Sequence, residues 1–91
     1  PAVLALNAPQ IREKFDLAAQ YLSIDGGFDG FCDFVQSFNH QFSIPRTLKG
    51  LGVDPQRLDD LIDMALEDPS CGGNPVKLNK RNMRSLFESC F

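Results

Sequence analysis

The sequence predicts an all-α protein, a small bundle of about four helices in a single unit that covers residues 1–91. Apolar residues recur at three- and four-residue spacing in four segments, which is the period of an amphipathic helix. Glycine, proline or a capping residue bounds each segment. The one stretch with alternating character, 76–78, is too short for a strand.

Composition narrows the possible partners. Nine basic and twelve acidic residues give a net charge of −3, which disfavours a duplex nucleic-acid binder. The hydrophobic content of 43% is typical of a folded globular chain. No run of 18 apolar residues predicts a membrane span. Three cysteines without a CxxC pair argue against a disulfide framework and favour a reducing, cytoplasmic location.

The first helix is predicted to begin at Asn7 as its cap, with Pro9 in its first turn. The apolar segment 1–6 before it is predicted to end an element that starts earlier. The helix is predicted to bury one face, and Gly26 and Gly27 end it. The residues of this face are Ile11, Phe15, Ala18, Ala19 and Leu22.

The second helix is predicted over about 28–42, with an aromatic stripe at 3-4-3-4 spacing. The stripe consists of Phe28, Phe31, Val35, Phe38 and Phe42. The residue before Pro45 resists the α conformation, so the helix ends there. The stripe is expected to be ordinary core. The alternative is that part of it packs on a partner outside this chain.

Two further helices follow a short helical turn at 46–50. Asp54 and Pro55 are a capping residue and a first-turn proline for the third helix, and Asn79 caps the fourth. Two sets of charged residues are expected to form solvated faces, Asp59, Asp60 and Asp63 on one helix and Lys80, Arg81 and Arg84 on the other. The basic set has an alternative role, in salt bridges to another part of a larger protein.

Little catalytic chemistry is apparent. His40 is the only histidine, so it has no second imidazole for a metal site and no carboxylate at i±4 to orient it. The most distinctive local feature is the loop at 71–75, in which two glycines allow close backbone approach. It matches neither a phosphate loop nor a dinucleotide fingerprint, and a plain helix connection is the simplest interpretation.

The order of these segments resembles a known family. Ile44-Pro45-Arg46-Thr47-Leu48-Lys49-Gly50-Leu51-Gly52-Val53 is followed by Ala65-Leu66-Glu67-Asp68-Pro69 and then by Gly72-Gly73-Asn74-Pro75. This closely resembles the C-terminal end of the iron-containing (group III) alcohol dehydrogenases, and the opening 1–7 is similar to an earlier segment of that family. The resemblance covers essentially the whole chain, and it is specific over 44–75.

The resemblance implies a helical segment from the C-terminal domain of a larger enzyme with the dehydroquinate-synthase-like fold. That parent would use Fe²⁺ and NAD(P) to interconvert an alcohol and its carbonyl by hydride transfer. The family's metal ligands lie upstream of this chain, so no metal, cofactor or catalytic residue is assigned within it. The chain alone is expected to be inactive, with the remainder of the enzyme as its partner and a homo-oligomer as the assembly.

The resemblance also implies that one loop lines the substrate side of the pocket in the parent. Its residues are Cys71, Gly72, Gly73 and Asn74, with Cys71 as a wall residue. A maleylacetate reductase-like enzyme stays open within the same fold. Outside it, the alternative is a free-standing helical interaction module whose stripe at 28–42 receives a partner helix.

Overall fold

A computed structural model describes all 91 residues and contains four α-helices and no strand, which confirms the predicted all-α class. The helices are α1 Ala2–Tyr21, α2 Gly27–Gln41, α3 Leu58–Glu67 and α4 Lys80–Ser89. Three short 3₁₀ turns lie at Lys49–Leu51, Pro55–Arg57 and Pro69–Gly73. None of the helices combines the length and apolar character needed to cross a membrane.

The chain consists of two compact units. One contains Pro1 and Val3–Ile44, and the other contains Ala2 and Pro45–Phe91. The expectation that residues 1–91 form a single unit stays a prediction.

The predicted start of α1 was wrong. The helix begins at Ala2, and the amide of Ala5 donates to the carbonyl oxygen of Pro1 at 3.1 Å. Asn7 is a buried residue of the helix interior, 5% exposed, rather than its cap. Pro9 lies inside the helix, where its missing N–H removes one backbone hydrogen bond. The helix persists through Pro9 because residues 2–6 are mainly alanine and leucine, which have high helix propensity.

Both helices of the first unit end in the same way. The residue after each C-cap is a serine with positive φ, Ser23 at 56° and Ser43 at 56°. The amides of Ile24 and Ile44 then donate to carbonyl oxygens five residues earlier, at 2.8 and 2.9 Å. This is the Schellman arrangement, in which glycine is the usual left-handed residue. Proline at 45 is therefore not needed to end α2, which has already ended at Gln41.

A contact from α1 fixes the start of α2. The Oδ1 atom of Asp16 accepts a hydrogen bond from the amide of Phe28 at 2.6 Å, and so caps α2 from the neighbouring helix. The guanidinium of Arg12 pairs with Asp29 at 3.1 Å and lies 4.6 Å from the ring centroid of Phe28. Hydrogen bonding to Asp29 raises the pKa of Arg12. α2 therefore starts beside the middle of α1.

The aromatic residues of α2 are only partly core. Phe28 is buried, and Phe15 of α1 packs against it and against Phe31 with centroid distances of 6.2 and 4.9 Å. Phe34, Phe38 and Phe42 are about half exposed, at 47, 48 and 60%. Ordinary core packing, the simpler expectation, therefore fails for the second half of α2.

In the second unit, α3 packs against α4 through Ile62 and Met83, which are 2 and 4% exposed. Asp54 caps the turn that leads into α3, since its Oδ1 atom accepts from the amide of Gln56 at 2.9 Å. Asn79 caps α4 in a reciprocal box with Asn82, as predicted for the cap itself. The amide of Leu48 donates to the carbonyl oxygen of Cys90 at 2.7 Å, so the segment before α3 is joined to the end of α4.

The charged faces of α3 and α4 are joined to each other. Lys80 pairs with Asp63 at 2.6 Å, and Arg84 pairs with Asp59. These four side chains stay 46–80% exposed, so the expectation that they lie on solvated faces is confirmed, and they pair with each other between the two helices. The pairs close within residues 45–91, so they do not need another part of a larger protein.

Candidate functional site

The connection between α3 and α4 is ordered by Asp68. Its Oδ1 atom accepts hydrogen bonds from the amide and the hydroxyl of Ser70, at 2.7 and 2.5 Å. The hydroxyl bond, followed by the amide bond, lowers the pKa of Asp68. The 3₁₀ turn Pro69–Gly73 begins on this cap. The loop that was predicted to line the substrate pocket therefore begins as a short helical turn.

Cys71 and Asn74 are tied to the backbone around them. The half-buried Sγ atom of Cys71 donates to the carbonyl oxygen of Ala65 at 2.8 Å. The Nδ2 atom of Asn74 donates to the carbonyl oxygen of Val76 at 2.7 Å. The hydrogen-bond partner of this thiol is a main-chain carbonyl oxygen, not a basic side chain that could activate it. This arrangement suits a wall residue better than a nucleophile.

An open cleft of about 410 Å³ lies beside this turn. Its lining residues are Leu66, Cys71, Gly72, Asn74, Pro75, Lys77 and Leu78. Three residues of the sequence-predicted wall, Cys71, Gly72 and Asn74, therefore line one cleft, and Gly73 does not. The four other lining residues were missed, although Pro75 and Lys77 follow directly in the sequence.

The cleft has apolar walls and one charged side chain. Leu66, Pro75 and Leu78 supply carbon surface, and Lys77 is the one lining residue that carries a charge at neutral pH. No carboxylate lies within ion-pair distance of the Lys77 ammonium group, whereas Lys80 and Arg84 both have carboxylate partners.

The residues present do not fit a metal ion. No group of three or more His, Cys, Asp or Glu side chains is arranged to hold one. His40 is exposed in the last turn of α2. The three cysteines are free and half-buried, and burial, followed by the nearby Asp29, raises the pKa of Cys32.

The residues also do not fit a nicotinamide cofactor. A phosphate-binding loop places glycines at the N-terminus of a helix, where backbone amides face the anion. Here Gly72 and Gly73 close a 3₁₀ turn, and Asn74 follows in an extended conformation with φ −68° and ψ 133°. We therefore assign no catalytic step to residues of this chain.

Comparison with known proteins identifies the class to which this helical segment is related. The chain is 29% identical, over 100 aligned positions and its whole length, to an NADPH-dependent butanol dehydrogenase from Clostridium saccharobutylicum. The match falls in the C-terminal part of that protein, and the chain spans about a quarter (26%) of its length. This confirms the predicted resemblance to the C-terminal part of an iron-type alcohol dehydrogenase. No family model and no solved structure matches the chain.

Proposed function

We propose that the chain is the C-terminal helical segment of an iron-dependent, NAD(P)-linked alcohol dehydrogenase. The observation that carries the proposal is the alignment with a butanol dehydrogenase over the chain's whole length. The parent enzyme would interconvert an alcohol and its aldehyde or ketone, with the nicotinamide as hydride carrier and the metal as Lewis acid. Its site of action is proposed to be cytoplasmic.

Within such an enzyme, the segment supplies structure and one wall of the substrate pocket. Cys71, Gly72 and Asn74 line the cleft that supports this role. Gly73 lies outside that cleft, so its assignment rests on the resemblance alone. The metal and the nicotinamide would bind elsewhere in the parent, because this chain has no fitting ligand set.

The remainder of the enzyme is the proposed partner. Phe34, Phe38 and Phe42 are about half exposed, and their rings follow one another at centroid distances of 6.1 and 4.7 Å. An apolar surface of this kind on a small protein usually marks an interface. We propose that this surface packs on the rest of the parent chain and that the parent is a homo-oligomer.

A chimera tests the proposal. Residues 1–91 replace the matching C-terminal part of the Clostridium saccharobutylicum butanol dehydrogenase, and butanal-dependent oxidation of NADPH is measured. The proposal predicts activity in the chimera and none in the chain alone. The same assay with maleylacetate tests the reductase-like alternative. A folded chimera, verified by circular dichroism and gel filtration, that reduces neither substrate would contradict the proposal.

A substitution in the chimera tests the pocket wall. A Cβ atom at Gly72 meets no atom within 4 Å, so the side chain of Gly72→Leu starts in open space at the cleft that Gly72 lines. We expect the KM for butanal to rise severalfold while the fold is kept. The control is Met64→Ala, which changes an exposed residue of α3 outside the cleft. An unchanged KM in Gly72→Leu would refute the wall role.

The second candidate is a helical interaction module. The exposed phenylalanines recur at i, i+4 and i+8 on α2, so they follow one side of the helix, as the anchors of helix-in-groove recognition do. The reading frame that contains the chain separates the candidates. An enzyme predicts a cofactor domain and a histidine-rich segment encoded before Pro1, and a free-standing module predicts neither.

A further inference from the structure

We propose that the cleft beside the Pro69–Gly73 turn is a binding site for a small amphiphilic anion, a short alkyl chain with one carboxylate. The cleft lies wholly within residues 45–91. The inference therefore does not rest on the alcohol dehydrogenase assignment, and it goes further by specifying a charged ligand group.

The size and walls of the cleft set the apolar part of the ligand. Its volume of about 410 Å³ falls within the roughly 300–1,000 Å³ typical of small-molecule sites. Leu66, Pro75 and Leu78 present carbon surface to it. An alkyl chain that leaves water for such walls gains roughly 0.8 kcal/mol per buried methylene. A short alkyl chain fits within this volume.

The charge of the lining residues determines the polar group of the ligand. Lys77 is the one charged lining residue, and it is not neutralised by a carboxylate of this chain. Three acidic groups of the same unit have their own partners. Asp68 accepts from Ser70, and Asp63 and Asp59 pair with Lys80 and Arg84. An anionic group at the cleft therefore forms a favourable ion pair with Lys77, whereas a cationic ligand would be repelled by the like charge.

The turn is suited to hold the cleft open. Cys71 is fixed to the carbonyl oxygen of Ala65, and Asn74 to that of Val76, so both lining side chains have defined positions before a ligand binds. The Asn82 side chain donates to the carbonyl oxygen of Lys77 at 2.9 Å, which anchors the backbone that carries the lysine to α4. The site is thus preorganised by bonds made within the same unit.

Hexanoate is the probe for this site, with hexan-1-ol as its neutral analogue. Each is titrated into ¹⁵N-labelled full chain, and amide chemical shifts are recorded. Hexanoate is expected to bind in the millimolar range, as a ligand of this size does, with shifts centred on residues 66–78. Hexan-1-ol is expected to bind about fivefold more weakly, since it lacks the ion pair with Lys77. Added salt should weaken the binding of hexanoate and leave the binding of hexan-1-ol unchanged.

Two matched pairs of variants separate the charge from the cavity. Lys77→Gln should lower hexanoate affinity to that of hexan-1-ol, whereas Lys49→Gln, at an exposed lysine outside the cleft, should leave it unchanged. Gly72→Leu should block both probes. Gly73→Leu should block neither, because a Cβ atom there also meets no atom within 4 Å and Gly73 does not line the cleft.

Several results would overturn the inference. These are equal affinity for the two probes, shifts outside residues 66–78, no binding of hexanoate at roughly 0.1 M, which is far above the expected millimolar range, or an unaltered affinity in Lys77→Gln. None of them bears on the dehydrogenase activity of the chimera, so failure here and failure of the proposed function are distinguishable.

Discussion

Gly30 of α2 is predicted to tolerate no side chain, although alanine is normally the better helix former. A Cβ atom built at Gly30 would lie 1.8 Å from the carbonyl oxygen of Asp25, whereas ordinary contact begins near 3.4 Å. The backbone of the turn before α2 would have to move by about 1.6 Å, the difference between 3.4 and 1.8 Å. That carbonyl belongs to the main chain, so it cannot rotate away as a flexible side chain would.

The size of the effect follows from two opposing contributions. Alanine in a helix interior is worth about 1 kcal/mol more than glycine. Forcing a methyl group into a closely packed backbone costs about 3 kcal/mol. The expected net loss is about 2 kcal/mol. With a urea dependence of about 1 kcal/mol per M for a small chain, the midpoint falls by about 2 M.

Urea unfolding followed by circular dichroism at 222 nm measures this loss. Gly72→Ala is the matched control, because its Cβ atom enters open space, and its midpoint should change by less than about 0.5 M. A midpoint for Gly30→Ala at or above that of the unsubstituted chain would show that helix propensity governs this position. The close approach of the Asp25 carbonyl oxygen to Gly30 would then be wrong.

Three further predictions concern caps and one ionisable group. Ser43→Gly should raise the free energy of unfolding in urea by about 0.5 kcal/mol, because glycine adopts the left-handed conformation without steric cost. A lower free energy of unfolding would contradict the Schellman assignment. Asp16→Ala and Asn79→Ala should each destabilise by about 1 kcal/mol through loss of a helix cap, and an unchanged midpoint in either would refute that cap. Ser70→Ala should return the lowered pKa of Asp68 towards its ordinary value in a carbon-detected NMR titration, and no movement would mean that the hydroxyl is not its cause.

The sign of the Asp68 effect on stability follows from its lowered pKa. The carboxylate form is favoured in the folded chain, so the stability it contributes is present above the pKa of an unfolded aspartate. That contribution is lost as the pH falls through the folded-state value. In Ser70→Ala, the contribution of Asp68 to the pH dependence of the free energy of unfolding should become smaller. Urea unfolding curves between pH 2 and pH 6, roughly the range of carboxylate titration, measure this contribution.

Much of the fold was accessible from local sequence signals. Asn79 was predicted as a cap from its residue type and position, and the structure confirms it with a full capping box. α2 was predicted to within a residue at each end, since its glycine boundary and aromatic period are both local. In contrast, Asn7 and Pro9 gave a strong but misleading start signal, because the helix propensity of the residues before them prevails.

Contacts between distant residues were not accessible in this way. Asp16 caps α2 from twelve residues away, and neither residue type nor spacing indicates that pairing. The same holds for Lys80 with Asp63, which require the packing of α3 on α4 to be known. Of the candidate site, the sequence identified the turn at 71–74. The cleft also needs Leu66, which lies in α3 and is brought near only by the fold.

The activity of the polypeptide encoded by the complete reading frame that contains Pro1–Phe91 tests most directly whether the chain belongs to an alcohol dehydrogenase. The protein is purified with and without added Fe²⁺, and oxidation of NADPH is followed with butanal as substrate. We expect turnover by the complete polypeptide and none by residues 1–91 alone. A complete reading frame that encodes little beyond these residues, or a folded, iron-loaded polypeptide that reduces no aldehyde or ketone with NADPH or NADH, would contradict it.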